Sequence, residues 1–320
     1  MQSQEYLSAK WALALRAPGL TGDAIDEALA PGDILRTHIL RPTWHFVTPD
    51  DIRWLLALTG PRIDALARPQ YRQLDLNDES LSRMHDVIVD SLSEGAHLTR
   101  AEIGEHLARA GIEAASRKLG YIAYSAEVAG HICSGPMVGK QHTYALLADR
   151  APELTDFDRD EALGKIASMY VRGHGPAQPR DLSWWSSLTL TDSRRAFDIA
   201  GLRPLEIDDR TYWTDVEPVT DTPLADVFLL PPYDEYVSYF REPIDPSRLV
   251  RELPERVFTS GFVYLDGQIS GRWRRTIKSK AVDIDVELFV QWTSRLVEGV
   301  EKAVIGLAEF LNRVPALTIR

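Results

Sequence analysis

The stretch 34–47, ILRTHILRPTWHFV, governs how the rest of the chain is read. Two β-prone runs, 34–39 and 44–47, flank Leu40, Arg41, Pro42 and Thr43, and a proline with polar neighbours between two such runs marks a hairpin connection. Upstream, Leu7, Trp11 and Leu15 recur at i, i+4 and i+8, so 4–15 reads as a helix that buries one stripe. Ala17, Pro18 and Gly19 end it. Thr21 caps a second helix through Leu29, and Pro31, Gly32 and Asp33 break the pattern again. Downstream, Thr48 followed by Pro49 at the first helical position, with Asp50 and Asp51 in the first turn, starts a further helix expected to end near Leu58.

Helix, helix, hairpin is the order of a winged-helix unit, and the same order returns twice. Helices are expected over 81–92, from Thr99 (with Glu102 completing a capping box) and over 117–131, followed by strands at 132–136 and 143–147 around a glycine-containing turn. A third set runs from a helix at 159–171, through one containing Leu182, Trp184 and Trp185 and another at 192–200, to strand-like pieces ending at Val216. From Asp226 the chain turns β-rich, with runs at 227–230, 256–265 and 268–273, the last two joined by Asp266-Gly267, a favoured two-residue turn. A helix over 293–311 closes the chain, its stripe made by Leu296, Val300, Val304, Leu307 and Phe310. The expected fold class is therefore α+β. Three tandem winged-helix units at 1–78, 79–155 and 156–225 precede a small β-barrel-like module with a terminal helix at 226–320.

With 320 residues, 44% hydrophobic and 26% charged, the composition is that of a globular protein. No apolar run reaches the roughly 18 to 20 residues of a membrane span, and no secretory leader is visible, so a soluble, unexported, cytoplasmic protein is expected. The lone Cys133 cannot form an internal disulfide, which fits a reducing compartment. A net charge of −11 means that a nucleic-acid partner must be held by local clusters. Two qualify: Arg36, His38, Arg41 and His45 around the first hairpin, and Arg272, Arg274, Arg275, Lys278 and Lys280 near the C-terminal end. Either reads equally as a solvated basic face. The chain has no Gly-rich phosphate loop, nucleophile elbow or His-Glu-x-x-His, and its histidines lack zinc spacing. No cofactor and no metal is expected.

Four blocks resemble the winged-helix DNA-binding family of the AlkZ/YcaQ type, glycosylases that act on alkylated purines and interstrand crosslinks. They are Gln2-Ser3-Gln4 with Trp11 and Arg16; Arg36-Thr37-His38 leading to Arg41-Pro42-Thr43-Trp44-His45; Arg172-Gly173-His174-Gly175-Pro176 with Asp181, Trp184 and Trp185; and Leu229-Leu230-Pro231-Pro232-Tyr233-Asp234-Glu235-Tyr236 with Asp266-Gly267, Gly271-Arg272 and Trp273. The resemblance implies three tandem winged-helix units plus a β-barrel, double-stranded DNA, alkylated or crosslinked, as partner, and catalysis by a Gln, apolar, Gln or Asp triplet. Gln2 and Gln4 match that triplet. Ser3 departs from it, and the motif begins one residue after Met1 where relatives have a preceding stretch; either a misplaced start has left out a first helix, the reading expected here, or this member has lost part of its first unit.

Two neutral amides can orient a water toward a sugar whose base is already cationic, although they are poor general bases. Gln2 and Gln4 equally suit a frayed terminus. Local charge and hydrogen-bonding groups place the expected phosphate or base contacts at Arg36, His38, Arg41, Thr43, His45, Arg272, Arg274, Arg275 and Lys278, and with DNA as partner a nucleoid-associated monomer is expected. The bland alternatives are packing of His38 and His45 under the hairpin, Trp44 as core, and Asp234 as a turn brace. Three functional readings stay open: a glycosylase for 7-alkylguanine-type cationic lesions, a non-enzymatic winged-helix DNA-binding protein or regulator, and a family member without surviving catalysis. Asp23, Asp26 and Glu27 in the helix after Thr21 oppose a conventional major-groove dock and favour shape-reading through the hairpin.

Overall fold

The computed structural model describes residues 1–215, 227–236 and 260–320. The expected strand end at Val216, the boundary at Asp226 and the first part of the 256–265 strand lie outside the described residues. The chain forms two compact units, Met1–Ile25 with Pro218–Arg320, and Asp26–Glu217. This division cuts across the expected 1–78 segment, because α1 (Tyr6–Arg16) is tied to the C-terminal module: Trp11 Nε1–H donates to the Leu229 carbonyl at 2.7 Å.

In the Asp26–Glu217 unit, α2 (Gly22–Leu29), begun outside it, leads into the hairpin of β1 (Leu35–His38) and β2 (Trp44–Val47), with Leu35 opposite Val47 and His38 opposite Trp44. Thr21 Oγ1 accepts the Ala24 N–H at 3.1 Å, the cap that the sequence implied. α3 spans Pro49–Gln73, well beyond the expected end near Leu58, with Pro61 and Pro69 inside it. An interior proline costs about 3 kcal/mol. Ile63, Ala67 and Tyr71, all buried, continue the inward stripe past Pro61, and their burial at about 1.5–3 kcal/mol for each large side chain offsets that cost.

Then follow α4 (Asp78–Ser91), β3 (Leu98–Thr99), α5 (Arg100–Arg109), α6 (Ser116–Val128), β4 (Ile132–Ser134), β5 (Thr143–Leu146) and α7 (Leu147–Arg150). Asn77 and Ser80 cap α4 reciprocally, as Thr99 and Glu102 cap α5. The three strands pair in the order β3-β5-β4 over a core that includes Tyr71, Ile88, Ile103, Leu107 and Ile122. The last part of the unit is α8 (Arg159–His174), α9 (Pro179–Ser186), α10 (Leu190–Ile199) and the hairpin of β6 (Arg203–Ile207) with β7 (Arg210–Thr214). An isolated bridge pairs Ala177 with Trp213.

In the other unit, β8 (Phe228–Leu230), β9 (Gly261–Leu265), β10 (Gln268–Ile277), β11 (Ala281–Leu288) and β12 (Val314–Ile319) form a sheet in the order β12-β11-β10-β9-β8. α11 (Ser294–Phe310) connects β11 to β12, which run parallel, as a helical crossover permits. The expected terminal helix is thus not terminal. Leu296, Val300, Val304, Leu307 and Phe310 of α11 are buried as their spacing implied. β9 and β10 join at Asp266-Gly267, both at positive φ, the backbone that this turn requires.

Candidate functional site

Gln2 and Gln4 precede α1 and flank a fully buried Ser3, a position suited to a small side chain; Gln2 is partly buried and Gln4 exposed. Glu5 caps the helix by accepting the Ser8 N–H at 2.9 Å and meets Arg275 Nη2 at 2.9 Å. Burial pushes its carboxyl upward, but the Ser8 hydrogen bonds and the Arg275 guanidinium prevail and hold it below the usual range. The Gln2 N–H donates to Glu235 Oε1 at 2.7 Å.

Glu235 belongs to a turn closed by the Asp234 N–H to the Pro231 carbonyl at 3.1 Å, with Tyr233 at φ 62°. Next to it, the fully buried Asp234 carboxylate receives Arg16 through two hydrogen bonds, at 2.8 and 2.9 Å, and the Tyr236 N–H at 2.8 Å. Asp234 is therefore the brace the sequence implied. Glu235 fixes the backbone of the Gln2-Ser3-Gln4 segment through the Gln2 N–H. Sequence reasoning gave it no role; its one signal was its place in the block from Leu229 to Tyr236, three residues after Pro231-Pro232.

In the Asp26–Glu217 unit, the first hairpin is packed at its connection: Ile39 and Leu40 are buried, and the Leu40 N–H, at φ 65°, donates to Thr59 Oγ1 at 3.1 Å. Its polar residues close on Glu127 of α6, a carboxylate only 1% exposed. Glu127 Oε2 lies 2.6 Å from His38 Nδ1, and Oε1 accepts the Trp44 Nε1–H at 3.2 Å. The His38 ring sits 4.5 Å from Trp44 and 4.7 Å, edge-on, from Tyr124. The Arg36 guanidinium lies 4.4 Å from the Trp44 ring centroid, and Arg36 is only 7% exposed.

Arg36 is thus engaged in bracing the hairpin, which opposes the phosphate role expected for it. Arg41 and Thr43 in the connection are partly exposed. His45 is buried, its Nδ1–H donating to the Thr43 carbonyl at 2.9 Å, so packing under the hairpin describes it. Glu127 was missed by sequence reasoning. It is the lone carboxylate of the apolar α6 stretch YIAYSAEV, and a charge in such a run is buried only when paired.

The basic run lies on β10 and in the turn after it. Across the ladder, Arg272 faces Glu287 and Arg274 faces Asp285, and the Arg272 to Glu287 ion pair measures 2.5 Å. Lys278 pairs with Asp283 at 2.5 Å, Arg275 with Glu5, and Arg274 Nε donates to Ser260 Oγ at 3.4 Å. β11 therefore supplies carboxylates to a strand that read, by itself, as a cationic patch.

A cavity of about 750 Å³ in the Asp26–Glu217 unit is lined by, among others, Pro61, Asp64, His85, Ser125 and Leu147. His85 Nε2 lies 2.7 Å from Ser125 Oγ, and burial, with the neighbouring His131, pushes His85 down to about 4. Among the described residues, no group of three or more His, Cys, Asp or Glu is placed to hold a metal ion, and no helix is long and apolar enough to cross a membrane.

No curated protein sequence matches this chain. Among solved structures, the Streptomyces sahachiroi DNA glycosylase AlkZ is similar to it, with a TM-score of 0.76 and 21% identity over 100% of this chain and 91% of that one. That likeness concerns the fold. A family model described as DNA glycosylase AlkZ-like matches residues 1–310. The match takes in the Gln2-Ser3-Gln4 segment, the first hairpin and the turn that anchors Arg16, and the chain belongs to the AlkZ-like DNA glycosylase family.

Proposed function

We propose that this protein is a DNA-repair glycosylase that hydrolyses the N-glycosidic bond of 7-alkylguanine-type cationic lesions in double-stranded DNA, with Gln2 and Gln4 orienting the attacking water. The observation that carries the reading is the anchoring of the Gln2 backbone by Glu235 in a chain of this family. A cationic base departs without strong acid assistance, so amide acceptors that hold water suffice in a site without an activated nucleophile.

Three winged-helix units, at 1–78, 79–155 and 156–225, before a β-barrel-like module at 226–320, form the architectural part of the proposal. The strand order β3-β5-β4 with α4, α5 and α6, and the Ala177–Trp213 bridge before α9, α10, β6 and β7, support it for the second and third units. DNA contact is assigned to the partly exposed Arg41 and Thr43, with His38 beside them.

The test is release of free base from a 7-methylguanine-containing duplex, followed by chromatography. Gln4→Ala is expected to abolish release while leaving affinity for undamaged duplex nearly unchanged, because a neutral amide adds little to phosphate binding. A wild type that binds DNA and releases no base would leave a non-enzymatic DNA-binding role.

A further inference from the structure

We infer that the Asp26–Glu217 unit holds a separate nucleic-acid subsite, a cavity that takes one unpaired nucleotide of a DNA strand, with its flanking phosphates on Arg180 and Arg194 and its base against Trp213. Such a site requires DNA as the partner, which the family supplies, and is independent of catalysis by Gln2 and Gln4. The cavity, of about 570 Å³, lies between the start of α9, α10 and β7, and its volume is ordinary for a site that takes a small organic ligand. Thr211 and Trp213, two apart on β7, share the face of the strand that lines it. The Trp213 ring meets the buried Phe197 edge-on at 5.9 Å, and Leu190, 40% exposed, adds apolar surface. This wall is fixed in place. Trp213 and Ala177 exchange backbone hydrogen bonds at 2.8 and 3.0 Å, and Gln178 Nε2–H donates to the Thr211 carbonyl at 2.8 Å.

The cations beside this apolar surface are unmatched. Arg159, Arg172 and Arg195 in the same part of the chain pair with Asp192, Asp215 and Asp160. Arg180 and Arg194, both exposed, form no ion pair or hydrogen bond with another described residue. Asp198 is the single carboxylate in the lining, which leaves the lining positive in a chain of net charge −11. Two open guanidiniums select phosphate, and the aromatic face beside them selects a base of any identity, because stacking reads no hydrogen-bonding edge. A base inside a duplex is stacked on its neighbours and has no face to offer, so the ligand is an unpaired nucleotide. Because both arginines are exposed, phosphates held there can remain part of a continuing strand.

The test is titration of the full-length protein with a short labelled oligodeoxythymidylate, read by anisotropy of the strand and by quenching of tryptophan emission. Arg180→Ala with Arg194→Ala is expected to weaken binding about tenfold or more and to flatten the slope of log K against log salt by about 1.4, the share of two phosphate contacts on a single strand. Neither arginine has a described partner to lose, so the fold should be unchanged by circular dichroism. Trp213→Phe keeps an aromatic face and should bind within about threefold of wild type while losing the quench that Trp213 supplies. Arg195→Ala removes the same charge from the same helix, but its guanidinium already meets Asp160, so affinity should stay within about twofold. Affinity of the double variant within twofold of wild type, an equal loss in Arg195→Ala, or an undiminished quench in Trp213→Phe overturns the subsite. A duplex of equal length that depends as strongly on the two arginines would reduce them to backbone contacts and overturns it too. Competition by free thymidine monophosphate at equal nucleotide concentration would replace the strand by a free nucleotide. Base release enters none of these readings, so a wild type that releases no base ends the glycosylase reading and leaves this site standing.

Discussion

Asp234 holds the end of α1 through Arg16. Its fully buried carboxylate takes both guanidinium hydrogen bonds of Arg16 and the Tyr236 N–H. Asp234→Ala leaves Arg16 and that N–H without their acceptor, and a loss of roughly 2–4 kcal/mol is expected in denaturant unfolding, less for Asp234→Asn. A second residue-scale expectation concerns acid. Burial pushes His85 and His142 down to about 4, from an ordinary value of 6.5. The unfolded chain therefore binds more protons than the folded one between those values. Their contribution to stability is complete above pH 6.5 and is lost as pH falls toward 4. Melting temperatures at pH 7.0, 5.5 and 4.5 should decline, and the decline should be shallower in the His85→Gln, His142→Gln double variant. Cys133, whose thiol burial pushes up to about 12, should resist a thiol reagent at pH 8 until the protein is unfolded.

Among elements, the β9 and β10 pair shows what close packing demands. A Cβ at Gly261 would lie 2.3 Å from Trp273 Nε1 and 2.7 Å from the Leu230 carbonyl, the same two groups that hydrogen-bond to each other at 2.8 Å. Gly261→Ala should therefore cost about 3 kcal/mol by displacing Trp273, a shift visible in tryptophan fluorescence as well as in Tm. Helices were legible wherever a cap or a clean stripe marked them, as at Thr21, Thr99 and along α11. α3 was cut short because Pro61 is a strong local stop signal, and only the tertiary burial of Ile63, Ala67 and Tyr71 overrides it. The sharpest omission is β11. Its sequence, AVDIDVEL, alternates apolar with acidic residues at the strand period, a pattern that a search for basic clusters passes over. Of the candidate site, the Gln2-Ser3-Gln4 segment and the hairpin were legible from their motifs, whereas Glu127 and Glu235 act on partners 89 and 233 positions away, a separation no local pattern encodes.

For the whole molecule, the carboxylates of β11 change what the basic run can do. Arg272 and Lys278 are already matched by Glu287 and Asp283, so Arg272→Ala should leave the salt dependence of duplex binding almost unaltered. Glu287→Gln with Asp283→Asn should strengthen binding and steepen the slope of log K against log salt by about one for each cation released. A wild-type slope that flattens by about one on Arg272→Ala would show instead that the arginine already meets phosphate. The discontinuous make-up of one compact unit, Met1–Ile25 with Pro218–Arg320, also has a consequence in time. At roughly 5–20 residues per second of synthesis, Gln2 and Gln4 leave the ribosome about 15 to 60 seconds before β12 exists, while the contiguous stretch between the two parts can fold at once. A nascent chain of this protein is therefore a stretch of folded polypeptide preceded by an unanchored leader, and the segment proposed to cut the glycosidic bond becomes structured only after its last partners are translated.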